Sequence, residues 1–311
     1  MSADRVVGAA TGVRVVGRGY GASMSSDVDF LGLVPGDLPG RFRFTVQNHL
    51  SRLDARLYGG TAIAVSIVAS ELVSERAPLW MTTQFVSTAP ADAEIDVFAE
   101  VLAPGRRTNQ VRVTATDAAG EVMFASLGAT GHHRTDGLRG TFEHAPVVSS
   151  PDDSEPSDGP FTAMLRNAGI VDVPPLPADV GFASVVEFRE PEVLEHPDPG
   201  PGRMCMWVRR RDSLPLTPAT VAFIADMVPL SVAHGAGVVA GGISLDNTIR
   251  FAAFEPSEWA LIDLRAHFAA GAYGHGVAHV WSEHGHLLGT ASQTASMFEF
   301  DMTGAPWSSF E

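Results

Sequence analysis

The stretch Gly241–Trp259, GGISLDNTIRFAAFEPSEW, decides the fold. Its β-branched and aromatic residues favour a strand, and Glu255-Pro256-Ser257 closes it, because proline cannot donate to a ladder. A second strand is expected to follow. Ser244, Asp246 and Thr248 fall at spacing two, so an unbroken strand would put all three on one face of the pleat. A hydroxyl, a carboxylate and a second hydroxyl on one face are unusual for a core strand. The plainer reading is a half-exposed strand with a solvated face, and the flanking segments bear on the choice.

Upstream, Thr217-Pro218 places a capping residue before a proline at the first helical position. The run ATVAFIADMVPL that follows is apolar almost all round, as expected of a buried helix. Phe182–Arg189 and Met204–Arg210 read as strands before it. Downstream of an HGAGVVAGG loop come the opening strand and three more, separated by AAGAYGHG and SEHGHL. The same order occurs earlier. Arg41–Val46 alternates as a strand. TAIAVSIVASELV, behind Gly59 and Gly60, reads as another wholly apolar helix, and four strands follow between Leu79 and Thr130, with turns at APGRR and DAAG. Gln84-Phe85 overlays Arg250-Phe251, and AAGEVMFASLG overlays EHGHLLGTASQ. The chain therefore reads as a duplicated α+β unit, each copy a curved antiparallel sheet wrapped around one buried helix. The Ser149–Gly159 stretch, SSPDDSEPSDG, is too polar to bury and is expected to be a linker. With the proline run 174–177 it suggests an N-terminal domain over 1–148, with residues 1–40 as a strand or loose arm, a linker over 149–180 and a C-terminal domain over 181–311.

The duplication supplies an internal control. Asp226 lies in a helix where the first copy has Ala69 or Ser70; Ser244 overlays Pro78 and Gln293 overlays Gly128. The second copy has gained a carboxylate, a hydroxyl and an amide on elements that should meet at the sheet–helix contact. A buried charge costs several kcal/mol unless it is partnered, and Ser244 and Gln293 can supply donors. The alternative is an Asp that faces a turn at a helix end before Pro229.

At these residues the chain resembles the acyl-CoA thioesterase II family, whose members are double-hotdog proteins. SLDNTIRFAAFEPSEWALI is similar to that family's (T/S)-(I/L)-D-H-(S/A)-x-x-F-H-x-P-x-x-x-x-E-W segment. FIADMVPLSVA is similar to its Asp-bearing helix, HLLGTASQTASM to its terminal V-A-S-(T/S)-x-Q-E-G-x-M strand, and LYGGTAIAVSIVASEL to its V-F-G-G helix start. The resemblance runs from about Phe42 to Met297. It implies a double hotdog that hydrolyses acyl-CoA to free acid and CoA, with no cofactor beyond the CoA of the substrate. It also implies Asp226, Ser244 and Gln293 as the catalytic trio that holds and activates a water. Gly59, Gly60, Gly241, Gly242 and Thr248 are candidates for contact with substrate, and either glycine pair could present the oxyanion donor. Two departures stand out. The family's usual His after the strand Asp is Asn247 here. The first-half H-S-F-H segment becomes Trp80–Phe85, WMTTQF, without its histidines.

Lys+Arg 21 against Asp+Glu 36 gives a net charge of −15, which argues against nucleic-acid or anionic-membrane partners. The lone Cys205 allows no internal disulfide and suggests a reducing, cytoplasmic setting. It lies in MCMWV and reads as core. The N-terminus lacks a signal-peptide core, and no apolar run is expected to span a membrane. Sheet edges in such a fold favour a homo-oligomer. No G-x-S-x-G elbow points to a serine nucleophile. Glu283-His284-Gly285-His286 and the histidines at 267, 275 and 279 read as a hairpin turn and an outer face, so no metal site is expected. The basic clusters Arg106-Arg107 and Arg209–Arg211 read as solvated turns, though either could meet CoA phosphates. The rival functions are a hotdog hydratase or dehydratase, for which no D-x-x-x-x-N-x-H segment is apparent, and a non-catalytic acyl-CoA-binding protein.

Overall fold

The computed structural model describes residues 20–132, 136–170 and 179–300. Expectations for residues 1–19 and for the proline run 174–177 lie outside these. The first half runs α1 (Tyr20–Leu31), β1 (Val34–Pro35), β2 (Arg41–Thr45), α2 (Gly59–Ser74), β3 (Ala77–Phe85), β4 (Glu94–Ala103), β5 (Thr108–Thr116) and β6 (Val122–Gly131). After β7 (Val147–Val148), β8 (Glu155–Ser157) and α3 (Pro160–Asn167) come β9 (Val186–Glu190), β10 (Val193–Glu195) and β11 (Arg203–Arg210). The chain then forms α4 (Pro218–Ile224), α5 (Val228–Ala236), β12 (Ala240–Phe251), β13 (Ala260–Ala270), β14 (Tyr273–Ser282) and β15 (Leu287–Glu299).

Thirteen strands form one antiparallel sheet in the order β1-β2-β4-β5-β6-β3-β12-β15-β14-β13-β11-β9-β8. The two copies join edge to edge where β3 pairs with β12, with Thr82 opposite Thr248 and Thr83 opposite Asn247. The Thr82 and Thr248 hydroxyls meet across this seam at 2.9 Å. Each copy is thus a hotdog, and joining them protects two strand edges that would otherwise be open. The helix α2 is buried from Gly60 to Glu71, as its lack of a polar face requires. One core cluster contains α2, α4 and inward residues of both half-sheets, so the copies share a hydrophobic interior.

Four expectations are corrected. The N-terminal arm carries a helix, α1, rather than a strand or loose coil over its described part. Asp27 of α1 accepts a hydrogen bond from Thr217 at the start of α4, which ties the arm to the second copy. The polar linker is built into the fold: β8 pairs with β9 at the sheet edge, and α3 buries Thr162, Met164 and Leu165. Its Ser and Asp side chains satisfy a tight turn locally, Ser150 Oγ donating to Asp153 and Ser154 Oγ to the Ser150 carbonyl. The second apolar helix is two. Pro229 lacks an N–H, and its ring would strike the carbonyl of Ala225 four residues back, so the helix stops and restarts. The apolar span Pro218–Ala236 has the length and hydropathy of a membrane crossing, but 72% of it is buried inside the fold. Finally, β12 is not regular. Its register to β15 shifts between Ser244 and Asp246, a bulge at Leu245 that reverses the alternation. Ser244 therefore shares the inner face with Asn247 and Ile249, while Asp246 and Thr248 face the other way.

The helix start at Thr217-Pro218 is as expected. Thr217 and Thr220 form a reciprocal capping box. Thr217→Val keeps the shape but removes both the cap and the hydroxyl that donates to Asp27, leaving Arg210 at 3.9 Å. Chemical denaturation should show a loss of about 1–2 kcal/mol relative to the native chain.

Candidate active site

Asp226 occupies the break between α4 and α5, buried, with its backbone carbonyl accepting from the Tyr58 hydroxyl at 3.3 Å. Three elements bring donors to its carboxylate. Asn247 Nδ2 on β12 and Gln293 Nε2 on β15 each donate to Oδ1 at 2.8 Å. The N–H of Gly60, in the first turn of α2, donates to it as well. Gln293 Nε2 also donates to Ser244 Oγ at 2.7 Å, and Gln293 Oε1 accepts from the N–H of Val228, the first residue of α5. That last bond fixes which way the Gln293 amide points, because a backbone N–H can only donate. Ser244 Oγ is the acceptor from Gln293, so its own proton remains to be given elsewhere.

The first copy contributes through a close approach. A Cβ on Gly59 would lie 2.4 Å from Asp226 Oδ2, and one on Gly60 would lie 2.2 Å from the Phe223 carbonyl oxygen. Only a Gly-Gly start lets the N-terminus of α2 reach the carboxylate, where its free amides and positive dipole end favour negative charge. Burial works the other way and is stronger: it pushes the Asp226 carboxyl up to about 7, against the opposing pull of Asn247, Gly60, Arg52 and Gln293. A carboxylate poised near neutrality can exchange a proton with a bound water at physiological pH.

Asp226 and Ser244 open onto a cavity of about 1010 Å³. Its polar rim carries Arg52, Asp54, Ser87 and Thr88; the rest is mainly Leu, Met and Phe side chains from both copies and from α3. Gly59, Gly241 and Gly242 line it too. Gly60 is one residue further along α2, and Thr248 lies across the sheet against Thr82 instead. Sequence reasoning treated Asn247 only as a missing histidine. Its role as a donor to Asp226 was hidden by the bulge, which swaps the faces of β12.

The other polar clusters have partners of their own. Cys205, His196 and Asp263 bring possible ligand atoms within 4.8 Å of one another on the opposite face of the second half-sheet. His196 Nδ1, however, accepts from the N–H of Asp198, so Nε2 carries the proton and donates to Asp263 Oδ1. Arg265 takes Asp263 Oδ2. The group is an ion-pair network centred on Asp263, and burial next to Asp263 drives the Cys205 thiol far above its ordinary range. His286 in the β14–β15 turn bonds Glu255. Arg209 is engaged by Glu187 and Glu258, and Arg210 by Asp212.

Two family descriptions match the chain in tandem. Residues 46–130 match the acyl-CoA thioesterase N-terminal domain and residues 151–297 the acyl-CoA thioesterase C-terminal domain. The chain belongs to the acyl-CoA thioesterase family. No curated protein matches it. Among solved structures, a protein from Novosphingobium aromaticivorans assigned as a thioesterase is 28% identical, with a TM-score of 0.72 over 85% of this chain and 97% of that one. The hot dog fold protein from Alicyclobacillus acidocaldarius is 20% identical with a TM-score of 0.73, over 89% of this chain and 99% of its own. The acyl-CoA thioesterase II TesB2 of Mycobacterium marinum is 17% identical with a TM-score of 0.66, over 88% of this chain and 99% of its own. The last two establish the shared fold.

Asn247 is the strongest side-chain donor opposing the burial of Asp226. Asn247→Ala should therefore raise the carboxyl by about one unit or more, and Gln293→Ala by less. Carbon-13 NMR titration of Asp226 in the two variants tests the order.

Proposed function

We propose that the chain hydrolyses an acyl-CoA thioester to the free acid and CoA, using a water activated by Asp226. The observation that carries this reading is a carboxylate raised to about 7 by burial, aimed by three donors, and opening onto a large apolar cavity. The thioester carbonyl would sit beside Ser244. A water between the Ser244 hydroxyl and the Asp226 carboxylate attacks the carbonyl carbon, and its proton passes to Asp226. The tetrahedral oxyanion needs preorganised donors. The first turn of α2 supports that role: Gly59 is its first residue, so its N–H has no intrahelical acceptor. Gly241 and Gly242 instead lie in the β12–β15 ladder opposite Phe298 and Met297. Collapse of the intermediate breaks the C–S bond, and the departing thiolate takes the proton back from Asp226. Gln293 and Asn247 keep the carboxylate aimed through the cycle.

Arg52, paired with Asp54, is a cation in the cavity lining that CoA phosphates would meet, and it also acts electrostatically on Asp226. No covalent intermediate is needed, in keeping with a lone cysteine that is buried and protonated.

Thiol release from acyl-CoA substrates should fall by about 10²-fold or more in Asp226→Asn. Because Asp226 acts in its charged form and titrates at about 7, the native rate should drop about tenfold per pH unit below that value and level off above it. Unchanged turnover in the variant would exclude Asp226 as the base.

A further inference from the structure

We infer that α3, in the segment joining the two copies, forms the end wall of the acyl compartment and suits it to long acyl chains. This rests on the hydrolase reading above. Phe161 and Leu165 stand one helical turn apart, so they share one face of α3, and both line the cavity that holds Asp226. On the same helix Met164 is wholly buried and packs with Leu165 against Ala233, Val239 and Ala240.

The helix is pinned on its other sides. Arg166 pairs with Glu190 at 2.8 Å, and Asn167 Nδ2 donates to the His234 carbonyl at the end of α5 at 2.7 Å. These contacts hold α3 as a fixed wall, so its side chains set a length rather than gate access. The direction of the cavity follows from its lining. From Asp226 the wall runs along α5 through Pro229 and Leu230, and Leu230 packs against the α3 cluster. The lining residues of that branch, Met227, Pro229, Leu230, Phe161 and Leu165, are apolar, whereas the polar lining residues Arg52, Asp54, Ser87 and Thr88 come from the segment before α2 and the segment after β3. An acyl tail belongs in the first branch, and the phosphate-bearing CoA at the second.

The volume of about 1010 Å³ lies at the upper end for small-molecule sites. A butanoyl group would leave most of the apolar wall uncovered, while each further buried methylene is worth roughly fourfold in affinity. Native kcat/KM should therefore rise from butanoyl- through octanoyl- to dodecanoyl- and hexadecanoyl-CoA.

The test compares the native chain with Phe161→Trp and Phe161→Ala on these four substrates. Phe161 is only half-buried, so neither change should disturb folding. Phe161→Trp should lower kcat/KM for hexadecanoyl-CoA about tenfold and leave butanoyl-CoA within about twofold. Phe161→Ala should shift the preference towards the longest chain. In parallel, Kd for hexadecanoyl- and butanoyl-CoA is measured by calorimetry in the Asp226→Asn background, where Phe161→Trp should weaken only the longer ligand. An unchanged chain-length profile, or an equal loss on all chains, would overturn the α3 wall. No thiol release from any substrate by the native chain would overturn the hydrolase reading, and the Kd comparison would then decide on the wall by itself.

Discussion

The structure turns on one constraint: the Asp226 carboxylate is out of water and must be satisfied by protein donors. A buried carboxylate without partners would cost several kcal/mol and would protonate instead. The protein meets this with a helix broken at Pro229, which exposes the start of α5, and with two side-chain amides from neighbouring strands. The third donor comes from the other copy. The start of α2 can come so close only because Gly59 and Gly60 have no side chains. The donors do not fully offset the burial, and the balance leaves the carboxyl at about 7 rather than far below it.

This arrangement explains how a duplicated fold carries an asymmetric site. The second copy supplies Asp226, Ser244, Asn247 and Gln293, and the first supplies the N-terminus of a helix. In the first copy the corresponding strand positions are Pro78 and Gly128. Its buried hydroxyls are spent on each other, Ser66 bonding Ser126 and Ser126 bonding Thr83, each at 2.8 Å. That network fills the sheet–helix contact without a charge. The seam between β3 and β12 matters for the same reason. Pairing of Thr83 with Asn247 sets the register that brings α2 of one copy over α4 of the other.

The outer face of the second half-sheet shows the opposite solution to a similar problem. Asp263 is as buried as Asp226, yet it has Arg265 on one oxygen and His196 on the other. A charged partner balances it in place. Asp226 has only neutral donors in contact, and that difference makes one carboxylate structural and the other chemically poised.

The sequence by itself determined the duplication, the two apolar helices, most strands of the sheet and three of the polar residues at the site. Those features depend on local periodicity, capping and comparison of one copy with the other, all of which are written along the chain. Two apolar runs without a polar face can only be core, and Asp226 stood out because Ala69 and Ser70 stand in its place in the first copy. What only the tertiary structure decided depends on non-local geometry. The bulge at Leu245 moved Asp246 and Thr248 off the inner face and brought Asn247 onto it, because one extra residue reverses a period of two. The acidic stretch that looked like a linker became an edge strand and a cavity wall, since its apolar residues find cover only once α5 and the end of β15 are in place. The close approach of Gly59 at the start of α2 to Asp226 is likewise non-local, and no spacing along the chain records it.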